Sequence, residues 1–164
     1  MNILDKVMLV EKPKTAESQK IAYMYAAILV IFCLTQLFTF DKFLVLLESF
    51  GFPGDAPIAH LIGSIIVASE VLALPFLLRL KISRSMRVTS MTLGLLVPIA
   101  WLKISLWLAL TASTVLNIGF FGTIIPMMPG WWAVFVSIAL GILAAWASWG
   151  MWPFAAGHST KAKN

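Results

Sequence analysis

Four long apolar blocks constrain this chain more than any other feature. They run from about Ile21 to Phe40, Ile58 to Leu80, Val88 to Ala112 and Trp131 to Trp152. At about 1.5 Å of rise per residue, each is long enough to cross the roughly 30 Å hydrocarbon core of a bilayer as a helix. A helix is the form such blocks must take, because it satisfies its own backbone groups where no water is present. The expectation is an all-α membrane protein built as a four-transmembrane-helix bundle, with the lipid bilayer as its first partner. Composition agrees: 60% of the 164 residues are hydrophobic and 12% are charged, whereas soluble domains carry about a quarter charged residues.

The net charge of +5 is not a nucleic-acid footprint, because the basic residues flank the apolar blocks instead of forming a soluble face. Lys6, Lys12, Lys14 and Lys20 precede the first block. Arg79, Lys81, Arg84 and Arg87 bracket the turn between the second and third, and Lys161 and Lys163 follow the fourth. The segments after the first and third blocks carry between them only Lys42. The positive-inside rule then places both termini and the 79–87 turn in the cytoplasm. Residues 1–20 read as a cytoplasmic arm, in which Ile3, Val7 and Val10 have the spacing of an interfacial helix. Residues 21–152 form the transmembrane domain and 153–164 a cytoplasmic tail.

The two outer connections are unlike ordinary solvated loops. Phe43, Leu44, Leu46, Leu47 and Phe50 have helical spacing ahead of the turn residues Gly51, Pro53, Gly54 and Pro57, so a short interfacial helix is expected there. The 113–130 segment mixes Asn117, Gly119, Gly122, Pro126, Pro129 and Gly130 with apolar residues, and is expected to fold back onto the bundle or the membrane surface. Trp131, Trp132, Trp149 and Trp152 sit at the two ends of the fourth block, where indoles anchor helices in the interfaces. Ala133, Ser137, Gly141 and Ala145 in the last helix, and Ala59 and Gly63 in the second, are small residues four apart, suited to close helix approach.

Chemistry-bearing residues are few. Glu70 lies near the middle of the second helix and Lys103 in the outer half of the third. An ionisable side chain at such depth is costly and is normally turned into the bundle. Counted from the outer ends at about 1.5 Å per residue, the two lie within roughly 5 Å in depth, so a Glu70–Lys103 pair is expected. Such a pair serves either as a register-fixing ion pair or as part of a proton or quinone site. Alternatively, Lys103 snorkels toward the outer interface beside Trp107. Gln36, Asp41 and His60 lie near the outer helix ends and would extend a polar path toward Glu70. Cys33, the one cysteine, has no partner for a disulfide and reads as a packed apolar residue. Phosphate loops, HExxH and CxxC motifs are absent from the sequence, and no metal centre is expected.

A polar, turn-rich segment after the first helix, Glu70 in the second, and Ile118-Gly119-Phe120-Phe121-Gly122 ahead of Trp131 together resemble the MauE/DoxX family of redox-associated four-helix membrane proteins. Many of its members carry Cys-Gly-Cys-Phe-Gly at the matching place. The resemblance spans roughly Tyr23 to Trp152. It implies a bacterial or archaeal cytoplasmic membrane and a role beside a membrane redox system. Ile118 and Phe120 stand where the thiols would be, and neither can attack a disulfide. The implied role is therefore a non-catalytic accessory or assembly subunit, acting in a redox complex or as a homo-oligomer. The alternatives are a quinone-interacting subunit and a small transporter or proton pathway centred on Glu70.

Overall fold

A computed structural model describes residues 13–111 and 114–152. The expected interfacial helix in the N-terminal arm and the C-terminal tail lie outside these residues, apart from the arm's last few positions. Among the described residues the chain is all-helical, with α1 Ala16–Phe38, α2 Phe40–Glu48, α3 Asp55–Leu77, α4 Arg84–Leu110 and α5 Trp131–Gly150. Helices α1, α3, α4 and α5 are each long and apolar enough to cross a membrane, so the protein is a small integral membrane protein. The four form a closed square in which α1 and α4 each pack against α3 and α5. The short helix α2 lies against α3.

Local chemistry explains where the helices start. Thr15 caps α1 by accepting a hydrogen bond from the Ser18 backbone N–H at 3.1 Å, and Ser83 caps α4 through Met86 N–H at 3.3 Å. Both satisfy donors that a helix start leaves orphaned. Pro75 interrupts the hydrogen-bond ladder of α3 from within. Ser90 of α4 enters the ladder beside this break. Its hydroxyl accepts from Phe76 N–H at 3.0 Å and donates to the Leu72 carbonyl at 2.6 Å. The α3–α4 contact thereby repairs the weakest turn of α3.

The bundle is tied across its width and at one end. Tyr25 of α1 reaches through the core to donate to the Gly94 carbonyl of α4 at 2.7 Å. Ser105 of α4 and Ser137 of α5 share a hydrogen bond of 3.1 Å. At the end that carries the α3–α4 turn, Lys14 N–H donates to the Gly150 carbonyl at 2.9 Å and its ammonium lies 4.6 Å from the Trp149 ring centre. Gly150 sits directly against Ser18, with no space for a side chain. This end is called the basic end below, and the opposite one, with α2 and the 114–130 segment, the loop end.

The expected small-residue contacts are present in part. Ala59 and Gly63 are buried, and Gly63 faces Leu44 and Leu47 of α2. On α5, Ala133 and Ser137 are buried, Gly141 is half-buried and Ala145 is exposed. Steps of four residues rotate about 40° each on a helix of 3.6 residues per turn, so such a row drifts off the contact. Leu140, Ala144 and Ala147 take over the buried face toward the basic end.

Candidate functional site: a buried carboxylate beneath an inward-folded loop

Glu70 is fully buried, midway along α3 on the face turned toward α1 and α4. Its Oε1 accepts two long hydrogen bonds, from Gln36 Nε2 of α1 at 3.4 Å and from Trp101 Nε1 of α4 at 3.3 Å. Gln36 Nε2 also donates to the Phe120 carbonyl at 3.0 Å. One amide therefore joins the carboxylate to the loop. Glu70 Oε2 and Gln36 Oε1 meet no hydrogen-bond donor among the described residues.

The 114–130 segment folds into the loop end of the bundle. Ile118 and Phe120 are fully buried. The Phe120 ring lies 4.7 Å from Trp101, 5.5 Å from Phe32 and 6.0 Å from Trp132, centre to centre. Phe121 meets Phe32 edge-on at 5.2 Å. Asn117 shapes the turn that makes this possible. Its side chain accepts from Gly119 N–H at 3.0 Å and Met127 N–H at 3.2 Å, and donates to the Gly122 carbonyl at 2.9 Å. Gly119 and Gly122 have φ of 89° and 57°, the left-handed region in which glycine has no steric cost. Thr39 Oγ1 accepts from Thr123 N–H at 3.2 Å and fastens the segment to the end of α1.

The expected Glu70–Lys103 pair is not formed. Glu70 bonds Gln36 and Trp101, while Lys103 is exposed and lines a groove on the outer side of the α3–α4 seam. Depth along a helix leaves rotation open. Residues two apart on a helix point about 200° from each other, and α4 turns Trp101 inward, so Lys103 faces out. Trp107 lines the same groove and donates through Nε1 to the Phe50 carbonyl at 2.9 Å. Glu70 does not line it. The quinone site expected between these helices, with Glu70, Lys103 and Trp107 around one headgroup, is therefore divided into an inner and an outer half.

The polar path toward Glu70 reduces to Gln36, which is fully buried rather than open to water. Asp41 is exposed in the first turn of α2. His60 pairs with Glu48 across the α2–α3 turn, holding that turn and not the buried site. Trp101, Tyr25 and Phe120 complete the centre; Trp101 and Tyr25 were not singled out from the sequence, and Phe120 only as the residue at a family cysteine position. Trp101 did carry a signal, since it sits 9 residues before the end of α4 at Leu110, too deep for an interfacial anchor. A buried indole usually finds an acceptor for its N–H. Cys33 is buried in α1, on the same helix as Gln36. Among the described residues no group of three metal-ligating side chains assembles. No family model, curated protein or solved structure matches the chain.

Proposed function

We propose that this integral membrane protein is a non-catalytic accessory or assembly subunit of a membrane redox system, of the MauE/DoxX kind. The observation that carries the proposal is the packing of the 117–122 segment. Ile118 and Phe120 stand where that family carries thiols, and here both are fully buried as apolar core. A side chain that exchanges disulfides must be reached by a partner sulfur and must ionise. These positions instead bind the loop to the bundle through aromatic contacts. What the loop then offers a partner is a rigid surface. The test is purification of the full chain from native membranes in mild detergent, with identification of co-purifying proteins, and deletion of the gene followed by assay of the membrane redox enzymes. The expected result is a stoichiometric redox partner whose assembly falls on deletion. A chain that purifies alone and leaves those enzymes untouched overturns the proposal.

The thiol arm of the proposal has its own test. Cys33→Ser is expected to keep both fold and pathway activity, with a stability change within about 1 kcal/mol. The new hydroxyl can bond a carbonyl one turn back along α1, as serine does inside helices. Folded but inactive protein would revive a thiol mechanism.

The proposed orientation places both termini and the 79–87 turn in the cytoplasm of a bacterial or archaeal cell and the loop end outside. Reporter fusions after Lys20 and within residues 79–87 should read cytoplasmic, and fusions within residues 51–57 or 126–130 should read external. The reverse pattern would invert the topology.

A further inference from the structure

The outer groove between α3 and α4 has a volume of about 350 Å³, within the roughly 300–1,000 Å³ range of small-molecule sites. Its floor and walls are apolar, with Ile66 of α3, Leu96 and Ala100 of α4, and Phe52 from the α2–α3 connection. Trp107 and Lys103 complete the lining. The Trp107 N–H is already committed to Phe50 O. Lys103 makes no hydrogen bond or ion pair with any described residue. The groove is thus an apolar channel on a membrane-spanning surface with a single unmatched cation.

We propose that this groove holds an acyl chain of an anionic phospholipid whose phosphate pairs with Lys103. Depth supports the assignment. Helix α4 has 27 residues, a length of about 40 Å against a hydrocarbon core of roughly 30 Å. Centred on that core, it projects about 5 Å beyond it at the loop end. Lys103 lies seven residues below Leu110, at the end of α4, so its Cα is about 5 Å inside the boundary. The four-carbon stem of lysine carries the ammonium up to the level of lipid phosphates, which is snorkelling directed along a groove. Below Lys103, Ala100 and Leu96 follow along the same face of α4, toward the bilayer centre, where an acyl chain runs. A quinone headgroup fits less well. It presents two opposed carbonyls, and the groove offers one free donor group.

The experiment uses the full-length protein in detergent, exchanged with equimolar phosphatidylglycerol and phosphatidylcholine of identical chains, and reads bound lipid by native mass spectrometry. A single lysine near the surface predicts about a fivefold preference for the anionic lipid. Lys103→Met and Lys103→Gln should both abolish the preference, and Lys103→Arg should keep it. Ala100→Trp, which fills the groove, should lower occupancy by both lipids. Far-ultraviolet circular dichroism checks that each variant is folded. Preference that survives in both Lys103→Met and Lys103→Gln, or is absent from the parent, overturns the proposal. So does Lys103-dependent displacement of phosphatidylglycerol by a short-chain quinone, which would make the occupant a quinone. None of these outcomes bears on the accessory role, which is tested by co-purification.

Discussion

Trp101→Ala is expected to cost about 3 kcal/mol and to release the 114–130 segment from the bundle. The indole is fully buried, and its ring lies 4.7 Å from Phe120. Within a membrane protein the transfer from water contributes little, since lipid is as apolar as the core. What is lost is packing contact and a filled volume. The substitution also removes one of the two donors to Glu70 Oε1, leaving Gln36 to serve both the carboxylate and the Phe120 carbonyl. Thermal unfolding in detergent measures the first effect. Hydrogen exchange at the Ile118 amide, which donates to Met127 O at 2.8 Å, measures the second and should accelerate. Trp101→Phe keeps an aromatic ring at this place and loses the N–H with part of the ring volume, so its cost should be smaller, about 1–2 kcal/mol. If alanine and phenylalanine prove equally mild, Trp101 is not what holds the loop end together.

Gly122→Val should be nearly as damaging for a different reason. A Cβ at this position would stand 2.9 Å from the Thr35 carbonyl oxygen and 3.1 Å from the Gln36 Cα. Both are backbone atoms of α1 and cannot rotate away. The φ of 57° adds a left-handed penalty of about 1–2 kcal/mol for any residue with a side chain, and overpacking adds about 1–3 kcal/mol more. The total, about 2–5 kcal/mol, should appear as loss of folded protein in detergent. Gly51 provides the control. It also has positive φ, 65°, but nothing lies within 4 Å of its Cβ site, so Gly51→Ala should show the backbone penalty alone. Equal losses at the two positions would mean that contact with α1 contributes nothing.

Much of the fold was legible because the bilayer forces it. Apolar runs of this length admit one secondary structure, and the placement of turns follows from where those runs end. The short helix α2 was visible in the spacing of Phe43, Leu44, Leu46 and Leu47. Yet Phe43 and Leu47 are fully buried, so it packs on α3 instead of lying wholly in the interface. The candidate site was legible only in part. Glu70 announced itself by the cost of placing a carboxylate at that depth, and Gln36 was placed on a path toward it, but Trp101 was not. Pairing by charge and depth selected Lys103, whereas rotation about α4 delivers Trp101. Periodicity decides such questions in soluble helices, where the buried face is the apolar one. In a membrane helix both faces are apolar, and the pattern that would have turned Lys103 outward is erased. Gln36 was expected on a polar path from the outer helix end toward Glu70; it does bond Glu70, but it is fully buried instead of open to water. The 114–130 segment folds over that end and encloses it, a fold-back that its apolar composition signalled without showing which residues of the bundle it would cover.

The Gln36–Phe120 hydrogen bond spans 84 positions of chain, and this separation sets an order of events during synthesis. At about 5–20 residues per second, roughly 4–17 s pass between translation of Gln36 and of the carbonyl it serves. In that interval the residues of α2, α3 and α4 are added to the chain. With α1 these helices contain Glu70, Gln36 and Trp101, so the carboxylate has both its donors without any residue of α5. The amide of Gln36 still lacks its second acceptor, and the aromatic faces of Phe32 and Trp101 are open at the loop end. A chain truncated before Phe120 is accordingly left with three of the four spanning helices, a polar centre and an uncovered aromatic mouth. That is the form most exposed to wrong association in the membrane, and arrival of Phe120 ends the exposure.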